Sequence, residues 1–78
     1  MKDKKRIFYE KGYEEGLELA RKLGDIEKIK KKLIEIKAEI DRIKSMLGDK
    51  YISMEGYWHK VGMKRALEDT IEELEEKN

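Results

Sequence analysis

The chain has 78 residues and no cysteine, which excludes disulfides, thiolate metal sites and thiol catalysis. Charged residues make up 47% of it while the net charge is only +1, which argues against a polyanion-seeking tail and for faces on which both signs interleave. This length allows one domain at most and lies near the size at which a second copy or a partner completes the core.

The basic N-terminus lacks an apolar h-region, and no apolar run approaches the ~20 residues of a membrane span, so a cytoplasmic protein is expected. Glutamine is absent and Asn78 is the sole asparagine. That bias, with abundant Lys and Glu, suits a heat-adapted protein.

The predicted elements are three segments separated by two similar breaks, Leu23-Gly24-Asp25 and Leu47-Gly48-Asp49. At each break a glycine can end one helix in the left-handed conformation and an aspartate can cap the next. Helix one spans about 4–23. On a wheel of ~100° per residue, Phe8, Tyr9, Gly12, Tyr13, Gly16, Leu17, Leu19, Ala20 and Leu23 share one half. Gly12 and Gly16 each cost roughly 1 kcal/mol relative to alanine in a helix interior. Their ridge with Ala20, spaced by four, predicts close approach of another helix, with Tyr9 and Tyr13 flanking the groove.

Helix two, 26–47, carries an apolar seam of Ile26, Ile29, Leu33, Ile36, Ile40, Ile43 and Leu47. Ile29, Ile36 and Ile43 would take the d positions of a coiled coil. Isoleucine there suits bundles of three or more helices better than a parallel pair. Lys30, Lys37 and Lys44 flank the seam with one sign of charge. They are expected to meet the acidic end of segment three, where Glu68, Asp69, Glu72, Glu73, Glu75 and Glu76 face only Lys77.

The third segment, 50–77, has two apolar faces. One joins Ile52, Gly56 and His59 to Met63, Ala66, Leu67, Thr70, Ile71 and Leu74. The other holds Met54, Tyr57, Trp58 and Val61 at i, i+3, i+4, i+7, with Arg65 at its rim. Because Trp and Tyr dominate binding hot spots, this second face is the candidate partner-binding surface. Alternatively, residues 50–61 form a loop or short hairpin that buries its aromatics as packing.

Catalytic patterns are missing. His59 is the single histidine, no HExxH, P-loop or GxGxxG is present, and Ser45, Ser53 and Thr70 lie outside any nucleophile motif. No catalytic residue, metal or cofactor is expected.

The stretch LELARKLGDIEKIKKKL, residues 17–33, resembles the helix-turn-helix pattern at Leu19, Ala20, Leu23, Gly24 and Leu33, departing from it at Asp25 and Lys30. That resemblance implies a nucleic-acid-binding protein with Glu27, Lys28, Lys31 and Lys32 facing a major groove. Lys30 and the N-terminal Lys2, Lys4, Lys5 and Arg6 would add phosphate contacts. The favoured expectation is an all-α protein: three amphipathic helices in a small bundle, with a coiled-coil-like helix two at its centre. It would self-associate, most simply as a dimer, and serve as a non-catalytic interaction or assembly module, regulating or inhibiting a larger protein by occlusion.

Overall fold

A computed structural model describes residues 3–76. Three α-helices are present, α1 Lys4–Leu23, α2 Ile26–Leu47 and α3 Glu55–Glu76, with a 3-10 segment at Gly48–Ser53 between the last two. There is no strand among the described residues. Lys2 and Lys77, named above for phosphate contact and as the end of segment three, lie outside them.

The helix ends follow from local chemistry. Asp3 accepts from the Lys5 amide at 3.0 Å and opens α1. Gly24, at φ 67°, closes it by donating to the Ala20 carbonyl, and Asp25 starts α2 by accepting from the Glu27 amide at 2.9 Å. An L residue with a side chain adopts this left-handed geometry poorly. The second break differs. Gly48 ends α2, but Asp49 caps nothing, and the chain makes a 3-10 turn before α3 begins five residues later than expected. Packing explains the detour, because Tyr51 from this segment sets its ring edge-on to Tyr57 at 4.8 Å, against the hydrophobic core.

Helix α3, not α2, occupies the middle. It packs along both other helices, whereas α1 and α2 scarcely touch. One side of α3 places Leu67 and Ile71 against the α2 seam, where Ile29, Ile36 and Ile40 are buried and Ile26, Leu33 and Ile43 half-buried. The order of ion pairs, Lys30 to Glu75, Lys37 to Glu68 and Glu39 to Lys60, shows that α2 and α3 run antiparallel. A different side of α3 receives α1. Gly12 lies against the His59 backbone and Gly16 against Met63 and Ala66, so α1 and α3 run parallel. The result is thin, 40 × 30 × 19 Å.

The predicted glycine ridge therefore meets another helix of the same chain. A Cβ built on Gly12 would lie 1.9 Å from the His59 carbonyl oxygen, and one on Gly62 would lie 2.1 Å from that of Tyr9. Gly62 and Ala66 on α3 mirror Gly12 and Gly16 on α1, and all four are buried. Small residues at a spacing of four on both helices allow backbone contact that any larger side chain would prevent. The complementary ridge on α3 is carried by Gly62-x-x-x-Ala66, whose spacing of four is its one signal in the sequence.

Charge assists this arrangement as expected, with one substitution of partner. Lys30 and Lys37 reach Glu75 and Glu68 at 3.4 and 3.9 Å, both half-exposed pairs worth at most about 1 kcal/mol each. Lys44 instead stands over the Tyr51 and Tyr57 rings, 5.5 and 6.0 Å from their centroids.

Candidate interaction surface

On a helical wheel α3 has three sides. Those bearing Gly62 and Leu67 are covered by α1 and α2. The third carries Trp58, Val61 and Arg65, which recur at i, i+3 and i+7. The five residues predicted for partner binding are distributed unequally around it. Tyr57 belongs to the core at 8% exposure. Trp58 is half-buried, edge-on to Tyr57 at 5.0 Å, with its Nε1 donating to the Ile52 carbonyl at 2.7 Å. Val61 is half-buried against the core. Met54 stays 39% exposed, and Arg65 is exposed, its Nε 3.3 Å from Asp69 Oδ1.

Part of this face is thus occupied by the chain itself, because the 3-10 segment folds back over the start of α3. Ile52, placed by the wheel on the opposite face, stands beside Trp58 and is 43% exposed. Ile52 is thus brought to Trp58 through its carbonyl, Met54 is exposed just before α3 begins, and Val61 and Arg65 follow Trp58 along the helix. The wheel could not find Ile52 because it assumes one continuous helix, and the helix starts only at Glu55.

Beyond Arg65 the surface continues into a cleft of about 400 Å³ between α1 and α3, lined by Tyr9, Glu10, Tyr13, Glu14, Arg65 and Asp69. The tyrosines stand at its wall because the glycine contacts bring the two backbones together beneath them. Tyr13 Oη donates to Asp69 Oδ2 at 2.7 Å. That bond, then burial and the Asp69 charge, hold the Tyr13 phenol above its ordinary value of 10.0. Between α2 and α3, the Lys60 ammonium donates to Glu39 and holds that carboxyl below its ordinary 4.5.

The two shifts predict opposite pH limbs. The Glu39 contribution is present above pH 4.5 and lost as pH falls through its lower folded value. The Tyr13 contribution is present below pH 10.0 and lost as pH rises through its higher folded value. Urea midpoints across pH should show a flattened acid limb in Glu39→Gln and a flattened alkaline limb in Tyr13→Phe. Both groups are partly solvated, so each effect should stay within about 1 kcal/mol. Unchanged limbs in both variants would contradict these assignments.

His59 is half-buried on the α1 side of α3, where its ring contacts Glu15 and its carbonyl touches Gly12. Among the described residues no group of three His, Cys, Asp or Glu is placed to hold a metal ion. No helix among them is long and apolar enough to cross a membrane.

The corner resembling a helix-turn-helix has Ala20 buried and Gly24 in the turn. Its two helices diverge rather than pack on each other. Glu27, Lys28 and Lys31 are exposed, Lys32 is half-buried near Glu35, and Lys30 is engaged with Glu75. Fold and surface together define a small three-helix protein held by a glycine-mediated helix contact. Compared with protein-family models, curated proteins and solved structures, the chain matches none of them.

Proposed function

We propose that this protein is a non-catalytic interaction module that works by docking the open side of α3 onto another protein, as a regulator or inhibitor that occludes its partner. The observation that supports this reading most is the combination of Trp58, Val61 and Arg65 on the one side of α3 that neither α1 nor α2 covers, with exposed Met54 just before the helix begins. Apolar surface rimmed by a cation is the usual composition of a recognition patch. On α2, Ile34 and Met46 are also exposed, at 68% and 77%. A dimer is the simplest self-association compatible with such a patch, since a two-fold pair buries it with a single contact type.

Two variants test the reading without disturbing the core. Met54→Glu and Ile52→Glu alter exposed side chains and should leave the helical circular dichroism unchanged. The dimer should dissociate in light scattering, or a partner captured from host extract by the parent protein should be lost. A strict monomer whose captured proteins are unaffected by both substitutions would sink the proposal. Trp58→Ala is a stronger perturbation, but it also releases the Ile52 carbonyl and so reports packing as well as binding.

The second reading is nucleic-acid binding through the start of α2. It is favoured by exposed Lys28 and Lys31, which have no ion-pair partner among the described residues. A duplex titration at two salt concentrations tests it, because phosphate contacts weaken steeply as salt rises. No binding at low salt removes this reading.

A further inference from the structure

The cleft between α1 and α3 has a chemistry that the open side of α3 does not share. Three carboxylates, Glu10, Glu14 and Asp69, line it against the single guanidinium of Arg65. Asp69 is engaged twice, by Tyr13 Oη and by Arg65 Nε. Glu10 accepts from Arg6 Nε at 3.2 Å, one turn earlier on α1. Glu14 is exposed and has no ion-pair or hydrogen-bond partner among the described residues. The wall is formed by the half-buried rings of Tyr9 and Tyr13. Among the described residues no cation lies over either ring, although Lys44 stands over Tyr51 and Tyr57. The cleft therefore offers two tyrosine rings, an unneutralised carboxylate and a volume near the lower end of that of small-ligand sites.

We infer that the cleft between α1 and α3 receives the side chain of an arginine presented by the protein partner, stacked on Tyr9 and Tyr13 with its charge met by Glu14. The inference names the charge of the partner proposed above and to that extent rests on that reading. A planar guanidinium fits better than an ammonium, because it can lie flat on a phenol ring while its edge donates to a carboxylate in two parallel bonds. Arg65 does not serve this purpose itself, since its Nε is turned to Asp69. It also stands where Val61 and Trp58 lead along α3 into the cleft. A partner contacting that apolar strip would carry its arginine within about one helical turn of the contact.

The test needs no identified partner. The intact protein is titrated with N-acetyl-arginine amide and, separately, with spermidine, while the Tyr9 and Tyr13 ring protons are followed by NMR. Arginine amide should give saturable shifts at both rings and bind at least as tightly as spermidine, although spermidine carries more charge. Glu14→Gln, an exposed substitution that spares the fold, should weaken arginine amide about threefold to fivefold. Tyr9→Leu should weaken it further. Arg65→Gln should tighten it, because the cleft then loses its one resident cation, and a merely damaged surface would not bind better. Failure to saturate, indifference to Glu14→Gln, or tighter binding of spermidine overturns the inference. A captured partner that is lost on Met54→Glu but indifferent to Glu14→Gln overturns it too, while leaving the interaction reading intact.

Discussion

Gly62→Ala is expected to destabilise the protein by about 2–3 kcal/mol, although alanine is the better helix former by roughly 1 kcal/mol. The added methyl would sit 2.1 Å from the Tyr9 carbonyl oxygen and 2.8 Å from the Tyr13 amide nitrogen. Those atoms are backbone, so no rotamer change can clear them. α1 would have to move away from α3, and the Tyr13–Asp69 bond across the same contact would lengthen with it. Gly12→Ala should act in the same direction, since its methyl would meet the His59 carbonyl. Gly56→Ala supplies the contrast. It stands exposed in the first turn of α3 with nothing within 4 Å of a built Cβ, so the same substitution should be neutral or stabilising by up to ~1 kcal/mol. Urea unfolding followed by Trp58 fluorescence measures all three. A stabilised Gly62→Ala would mean that α1 and α3 are not in backbone contact in solution.

Leu67→Ala should have the largest effect of any core substitution, about 3–5 kcal/mol. Leu67 and Ile29 are the largest side chains with almost no exposure, and they lie on facing sides of α3 and α2. A domain of this length has a total stability of about 4–12 kcal/mol, so losing one such side chain can unfold most of the population. Little slack exists for the cavity to collapse, because α2 is tied to α3 along its length by the Ile29, Ile36 and Ile40 seam. Ile34→Ala, at 68% exposure on the same α2, should change stability by less than ~0.5 kcal/mol. A thermal melt that ranked Ile34→Ala above Leu67→Ala would contradict the placement of the α2 seam.

Comparison of the two large predictions separates the halves of the fold. The α2–α3 half is an apolar seam between antiparallel helices, and its strength scales with buried side-chain volume. The α1–α3 half is a contact of small residues between parallel helices, and its strength depends on the absence of side chains. Few apolar side chains of α1 reach the core; Leu17 and Ile7 are 38% and 37% exposed. α1 should accordingly loosen first, visible as faster amide exchange in α1 than in the middle of α2 and α3.

Much of this was legible in the residues. The seam Ile26 to Leu47 declared a helix and its buried face, because a 3.6-residue period is a property of one rod and needs no knowledge of its neighbours. The turn at Gly24-Asp25 was equally local, a left-handed glycine followed by a capping carboxylate. The cost of Gly12 and Gly16 signalled a close helix contact for the same reason, since those residues weaken an isolated helix.

Other features escaped local rules because they rest on pairings across long stretches of chain. Nothing in the wheel of α1 says that its glycines meet α3 some fifty residues later rather than α2 or a second copy. That choice depends on Gly62 and Ala66 offering a matching ridge, and so does the promotion of α3 to the middle of the bundle. The repeat of Gly-Asp at 48–49 suggested a second tight corner. The aromatic contacts among Tyr51, Tyr57 and Trp58 instead hold the chain in a 3-10 turn, drawing Tyr57 inward and Ile52 outward. Helical periodicity is written residue by residue along the backbone, whereas the identity of the surface that covers each stripe is a matter of shape and charge complementarity between stripes. Only the folded arrangement brings those stripes face to face.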